Sequence, residues 1–182
     1  MIRCQITNGP DTPLRHDVDL IQVRERNLPA RQLAEFVRRA ITAGPRILVN
    51  DRLDVALACS AAGVHLRSRS VSPKVVRRIV PPAFLITVAC HDEREVLEAE
   101  GADFVLLAPV FRPISKVDSR PPLGIERLRI IIRQSPVPVI ALGGITRENA
   151  PACIDAGAVG IAGISLFTQD PASAVTTKPF PC

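Results

Sequence analysis

The stretch "VPVIALGGITRENAPACIDAGAVGIAG" (residues 137–163) decides the fold of this chain. Apolar runs over 137–144 and 159–163 predict two strands, and the first run ends in two glycines. Residues 146–158 between them have helical spacing, with Thr146 at the N-cap. Both strands are apolar throughout, which is typical of parallel strands buried on both faces. The stretch therefore reads as one β-α-β unit.

The same alternation continues toward the N-terminus. Six more strands are predicted over 2–6, 19–23, 46–50, 63–66, 83–89 and 103–108, and further helices over 29–44, 52–62, 72–80, 92–102 and 124–135. The helix over 72–80 should begin with Ser72 at the N-cap and Pro73 in the first turn. Eight strands in repeated β-α units predict an α/β fold, a closed (β/α)8 or TIM barrel. An open doubly wound sheet is the alternative, but no Gly-x-Gly-x-x-Gly motif supports it.

The chain is short for such a barrel. It has 182 residues, whereas roughly 250 are typical. The missing length lies at 7–18, where Pro10 and Pro13 leave little room for a helix, so we expect the first helix to be missing or reduced. Residues 1–170 are predicted to form one barrel domain, and the Pro-rich tail 171–182 is predicted to be poorly ordered.

Composition narrows the class of function. The formal net charge of +5 suits phosphorylated small molecules as ligands. The absence of Trp and Tyr argues against a nucleic-acid partner bound by base stacking. Five cysteines without a Cys-x-x-Cys pair indicate free thiols, and no apolar run predicts a signal peptide or a membrane span. We therefore expect a cytoplasmic protein with no membrane partner, and a homo-oligomer stays an open alternative.

The site should lie where the predicted strands end, because the active sites of (β/α)8 barrels lie at the C-terminal ends of the strands. The turns at Gly143-Gly144 and at Gly163, Ile164 and Ser165 predict a phosphate site, since glycine lets an anion approach the backbone N–H groups. The alternative is that these glycines only relieve tight turns.

A second anion site is predicted from the cations at other strand ends. Arg24 and Arg26 alternate along one strand and point the same way, and Lys116 follows another strand. Together they predict a clamp of the size of a pyrophosphate, with ordinary surface charge as the alternative. His65 and His91 also end strands, and either a structural or a catalytic role is open for each.

Five motifs together carry a family resemblance. They are "IQVRER", "VNDRLDVALACSAAGVHL", "APVFRPISK", "VIALGGIT" and "GAVGIAGIS", in order from about residue 19 to about residue 167. In this combination the chain resembles the thiamin phosphate synthase and thiazole tautomerase family. The resemblance implies a (β/α)8 barrel in thiamin biosynthesis. The synthase joins hydroxymethylpyrimidine pyrophosphate to thiazole phosphate and releases pyrophosphate through a pyrimidine carbocation, with Mg²⁺ and cations stabilising the leaving charge.

The resemblance also implies roles for particular residues. Arg24 and Lys116 would be catalytic, Asp51 would hold Mg²⁺, and Gln22 would lie near the pyrimidine. The full set of substrate-binding residues that we expect is Gln22, Arg24, Arg26, Asn50, Ser115, Lys116, Gly143, Gly144, Gly163, Ile164 and Ser165.

The chain departs from the synthase pattern at several positions. In "HLRSRS", Ser70 stands where synthases have the second Mg²⁺ carboxylate, Ala89 replaces a usual serine, and Pro113 replaces a usual threonine. The stretch "HLRSRSVSP" is more similar to the tautomerase branch, yet Pro109 stands where the tautomerases have histidine.

These departures leave three functions open: a synthase, which we place first, a tautomerase, or a non-catalytic phosphate-binding protein. In a synthase, Arg67 and Arg69 could supply positive charge in place of the missing acid. The alternative is that the site has decayed and both arginines face water.

Overall fold

Eight parallel strands close into a barrel in the computed structural model, which describes residues 1–112, 120–168 and 174–175. The barrel strands are β1 (Ile2–Ile6), β3 (Leu20–Val23), β4 (Arg46–Asn50), β5 (Gly63–Leu66), β6 (Leu85–Cys90), β7 (Phe104–Leu107), β8 (Val139–Leu142) and β9 (Gly160–Gly163). They pair in chain order, and β9 pairs with β1 to close the ring. The predicted (β/α)8 barrel is thereby confirmed.

The helices on the outside of the barrel are shorter than predicted at their ends. They are α1 (Ala30–Ile41), α2 (Leu53–Ala58), α3 (Pro73–Arg77), α4 (Glu93–Leu97), α5 (Gly124–Gln134) and α6 (Ala150–Asp155), followed by a 3₁₀ helix (Ser165–Phe167). None of the helices in these described ranges is both long enough and apolar enough to cross a membrane.

No helix connects β1 to β3 in the described residues, as predicted. A two-residue strand, β2 (Leu14–Arg15), takes its place and pairs antiparallel with β10 (Ala174–Val175). The buried Gln5 amide supports this segment, because its Nε2 donates to the Pro13 carbonyl at 2.8 Å and its Oε1 accepts from the Arg15 amide at 2.9 Å. A side chain thus satisfies backbone groups that a helix would satisfy internally.

Two predicted helix starts differ in detail. The helix predicted from residue 146 begins at Ala150, and Thr146 caps the turn that precedes the helix. The Thr146 Oγ1 accepts from the Asn149 amide at 3.3 Å, and the Thr146 carbonyl accepts from the Ala150 amide at 3.0 Å. Ser72 is at the N-cap of α3, as predicted, but its side chain makes no capping hydrogen bond.

The core has two layers, which explains the uniformly apolar strands. One layer lies between the strands and the helices and includes Phe36, Leu128 and Ile131. The other fills the barrel and consists of Cys4, Ile6, Leu20, Leu48, Leu85, Leu106, Ile140 and Ala162. Side chains alternate along a strand, so the inward positions beyond this layer must line the mouth of the barrel.

The predicted C-terminal tail falls almost wholly outside the described residues. Only Ala174 and Val175, which form β10, belong to the described part of 171–182. The domain boundary at residue 170 and the disorder of the tail therefore stay predictions. The four cysteines described, Cys4, Cys59, Cys90 and Cys153, are free and buried.

Candidate functional site

A cavity of about 330 Å³ opens at the C-terminal ends of the barrel strands. Its wall is built by inward-facing residues that follow the interior core layer at even spacing: Gln22, Asn50, Ala89, Ala108, Leu142 and Ile164. Because side chains alternate along each strand, apolar and polar side chains from different strands line the same cavity.

The charged part of the cavity wall is entirely basic among the described residues. The charged lining residues are Arg24, Arg26, Arg67 and Arg120. Burial, with the charge of Arg26, lowers the pKa of the half-buried Arg24 from its usual value. Glu25, between Arg24 and Arg26 in the chain, is engaged elsewhere by the Thr7 hydroxyl and the Gly9 amide. Such an excess of positive charge in a cleft favours anions.

Gln22 presents an unused acceptor at this site. Its side chain is 2% exposed, and its Nε2 donates to Asn50 Oδ1 at 3.0 Å. Gln22 Oε1 is buried and has no hydrogen-bond partner among the described atoms. An orphaned buried acceptor costs about 1–3 kcal/mol, and a ligand N–H would remove that cost.

The two histidines that line the cavity have different environments. His65 is 4% exposed, its Nδ1 is 2.8 Å from Thr87 Oγ1, and burial lowers its pKa to about 4, so the ring is neutral at pH 7. His91 Nδ1 is 2.8 Å from the Ala108 carbonyl oxygen. Because a carbonyl only accepts, Nδ1 of His91 carries a proton, and Nε2 is the acceptor of the neutral ring.

The glycine turns are required by packing as well as by their position in the cavity. Gly143 and Gly144 have φ of +95° and +62°. A Cβ on Gly144 would lie 2.5 Å from the Arg112 carbonyl oxygen, and a Cβ on Gly143 would lie 2.7 Å from the Pro109 Cα. Both residues line the cavity, so the tight-turn explanation and the phosphate explanation are compatible.

Backbone donors are available near these turns. Within the described part of the chain, no hydrogen bond has the amide N–H of Gly144, Ile164 or Ser165 as its donor. All three residues line the cavity. They can therefore donate to a bound anion, as the phosphate prediction requires.

Asp51, the predicted metal ligand, lies beside the cavity and is engaged by two other side chains. The Ser70 hydroxyl donates to its Oδ1 at 2.5 Å, and the Arg67 guanidinium forms an ion pair with its Oδ2. No group of three or more His, Cys, Asp or Glu side chains in the described ranges is arranged to hold a metal. Asp51 is the one carboxylate among the three side chains of this described cluster, and each of its oxygens already contacts a side chain that an ion would have to displace or share. This donor set does not fit a resident Mg²⁺, which prefers six oxygen ligands at octahedral positions. Mg²⁺ at Asp51 stays a prediction.

Apart from Asp51, the predicted site residues divide into those that line the cavity and those that lie outside the described residues. Those that the structure brings together around the cavity are Gln22, Arg24, Arg26, Asn50, Gly143, Gly144, Gly163, Ile164 and Ser165. Ser115, Lys116 and Pro113 lie outside the described residues. Arg120 lines the cavity and was missed, because it follows no strand and belongs to no motif with a binding signature.

The fold and the cavity define a class of protein: a (β/α)8 barrel with an arginine-lined anion cavity at the C-terminal ends of its strands. The chain belongs to the thiamine monophosphate synthase family, whose sequence model matches residues 6–167. This finding confirms the family predicted from the motifs, and with it a role in thiamin biosynthesis.

Individual relatives agree with this assignment. The chain is 44% identical over 158 residues to the thiamine-phosphate synthase of Methanoculleus marisnigri, which covers 84% of this chain and 75% of that protein. It is 43% identical over 159 residues to the thiamine-phosphate synthase of Methanoregula boonei, with 84% and 74% covered. The solved structure of thiamine phosphate pyrophosphorylase from Pyrococcus furiosus superposes with a TM-score of 0.72 at 32% identity and covers 90% of this chain and 85% of that one.

Proposed function

We propose that this chain is a thiamin phosphate synthase, which joins hydroxymethylpyrimidine pyrophosphate to thiazole phosphate and releases pyrophosphate. The observation that carries the proposal is the cavity at the barrel mouth, whose described charged lining residues are four arginines. Two phosphorylated substrates need such an excess of positive charge.

The pyrophosphate end of the substrate is assigned to Arg24 and Arg26. Both lie just beyond β3, and no ion pair within the described residues neutralises either of them. As the bond to the pyrimidine carbon breaks, negative charge grows on the leaving oxygen, and fixed cations lower the barrier. Lys116 is assigned the same role from its motif alone.

The pyrimidine ring is assigned to the interior wall. Gln22 Oε1 needs a donor, and the amino group of the pyrimidine is one. Asn50 holds the Gln22 amide in place through the hydrogen bond to Nε2. The apolar side chains of Ile6 and Leu142 also line the cavity and offer contacts to the ring. The phosphate of the thiazole is assigned to the amides of Gly144, Ile164 and Ser165.

Magnesium enters this proposal only as an open expectation. The family resemblance implies that Asp51 would hold it. Because Asp51 is engaged by Arg67 and Ser70, a bound ion would depend mainly on pyrophosphate oxygens. No step assigned above to the side chains of the chain requires it. A cytoplasmic location and a homo-oligomeric state likewise stay predictions.

The test is a product assay with the two substrates, in which thiamin phosphate is separated and quantified. We expect turnover by the parent chain and a loss of about a hundredfold or more in Arg24→Gln, the cost typical of removing one preorganised donor. Arg69→Gln is the matched control, because Arg69 is exposed and is not among the described residues that line the cavity, and it should retain full turnover.

Two other outcomes would contradict the proposal. Isomerisation of the thiazole phosphate alone, without coupling, would indicate a tautomerase, for which His91 is the described acid/base candidate at the cavity. Binding of both substrates without any turnover would indicate a non-catalytic phosphate-binding protein.

A further inference from the structure

The cluster of Asp51, Arg67 and Ser70 has one carboxylate and one guanidinium, whereas a metal site would offer several free oxygen ligands. The Asp51 side chain is 16% exposed, and its two oxygens are engaged by the Ser70 hydroxyl and the Arg67 guanidinium. Arg67, in contrast, is 64% exposed and lines the cavity, which Asp51 does not. The group that this cluster presents to a ligand is therefore a guanidinium and not a carboxylate.

A divalent cation would be disfavoured at this cluster. Mg²⁺ beside Asp51 would have to displace Arg67 or lie within a few ångströms of its positive charge, and like charges at such distances repel strongly. Replacement of the expected second carboxylate by Ser70 removes the negative charge that would offset that repulsion. The same position now supplies a hydroxyl donor to Asp51.

We propose that Arg67, positioned by Asp51 and Ser70, takes the place of the metal ion, so that this chain binds the pyrophosphate of its substrate without a divalent cation. The inference rests on the proposed function, because it assumes a pyrophosphate substrate at this end of the cavity. Arg67 contacts the pyrophosphate directly, and Asp51 and Ser70 are positioning residues.

The geometry of a guanidinium suits this role. It has five N–H donors in a planar fork, and its NH2 nitrogen forms the ion pair with Asp51. The remaining donors can form paired hydrogen bonds to phosphate oxygens. Asp51 also restricts the side chain before the ligand binds, which reduces the entropy lost on binding. With Arg24, Arg26 and Arg120 in the same cavity, several negative charges can be balanced by protein cations.

The experiment is titration calorimetry of the full chain with inorganic pyrophosphate, in EDTA and in excess Mg²⁺. We expect binding in EDTA, with an affinity that Mg²⁺ raises by no more than about threefold. Arg67→Gln should weaken binding in EDTA by about tenfold or more, since a charge-assisted hydrogen bond contributes about 1.5–3 kcal/mol. Arg69→Gln is the matched control and should bind as the parent does. Thermal melts would verify that each variant is folded.

A second variant tests the same idea in the opposite direction. Ser70→Asp combined with Arg67→Gln restores two carboxylates and removes the guanidinium, so pyrophosphate binding should become dependent on Mg²⁺. The inference is overturned if the parent binds pyrophosphate only with Mg²⁺, if it binds none in either buffer, or if Arg67→Gln leaves the affinity in EDTA unchanged.

The product assay separates this inference from the proposed function. Metal-free pyrophosphate binding that depends on Arg67, without thiamin phosphate formation, would support the inference and overturn the proposed function. Product formation that requires Mg²⁺ and is insensitive to Arg67→Gln would support the proposed function and overturn the inference.

Discussion

Acid should destabilise this protein through one buried side chain, His65. The ring is 4% exposed, and burial lowers its pKa from 6.5 to about 4. At His65 the unfolded chain binds a proton more readily than the folded chain does. The contribution of the neutral His65 ring to the free energy of unfolding is therefore fully present above about pH 6.5, and it is lost as the pH falls toward 4. At about 1.4 kcal/mol per pKa unit, the full loss is about 3 kcal/mol, of which about 2 kcal/mol is reached by pH 5.

The assay compares the parent with His65→Asn by urea denaturation at pH 7.5 and pH 5.0. Asparagine keeps a polar group near the position of Nδ1, which contacts Thr87 Oγ1, but it does not titrate. The other titrating groups are common to both proteins, so the difference between their unfolding free energies isolates His65. The parent should lose about 2 kcal/mol more than the variant between the two pH values. Parallel losses in the two proteins would refute the reasoning, because His65 would then not be buried as a neutral ring.

Three further predictions concern the cavity. Gly144→Ala should lower the free energy of unfolding, measured by urea denaturation, by about 2–4 kcal/mol, because Gly144 has a positive φ and lies close to the Arg112 carbonyl oxygen. Gly163→Ala should lower it by about 1 kcal/mol, because the nearest contact of the new Cβ would be a side chain at 3.1 Å. Equal losses in the two variants would contradict this packing. Gln22→Leu should change the melting temperature little, because removal of the orphaned acceptor offsets the loss of the hydrogen bond to Asn50. It should raise the KM for the pyrimidine substrate about tenfold or more, and an unchanged KM would exclude Gln22 from the pyrimidine site. Lys116→Ala should lower turnover about a hundredfold or more with an unchanged melt, and full turnover would remove Lys116 from the mechanism.

The sequence by itself determined the barrel and the location of its cavity. Continuous apolar runs recur with amphipathic helices between them. This periodicity is a local property of the chain, so it can be read without knowing how the side chains pack. The short segment with Pro10 and Pro13 likewise predicted a missing or reduced first helix, because the prolines leave little room for one. Once eight parallel strands close, alternation forces residues such as Gln22 and Asn50 to the same mouth.

The tertiary structure alone decided how the side chains at the rim pair. Asp51 and Ser70 are nineteen residues apart, and nothing in their spacing predicts that one donates to the other. Whether Arg67 faces water or a carboxylate depends on the path of the loop after β5. Loop conformations of this kind are set by long-range packing and by hydrogen bonds to distant backbone groups, which leave no periodic trace in the sequence. A residue alignment can therefore place a metal ligand at position 51, whereas the contacts of that carboxylate decide whether it is free to bind one.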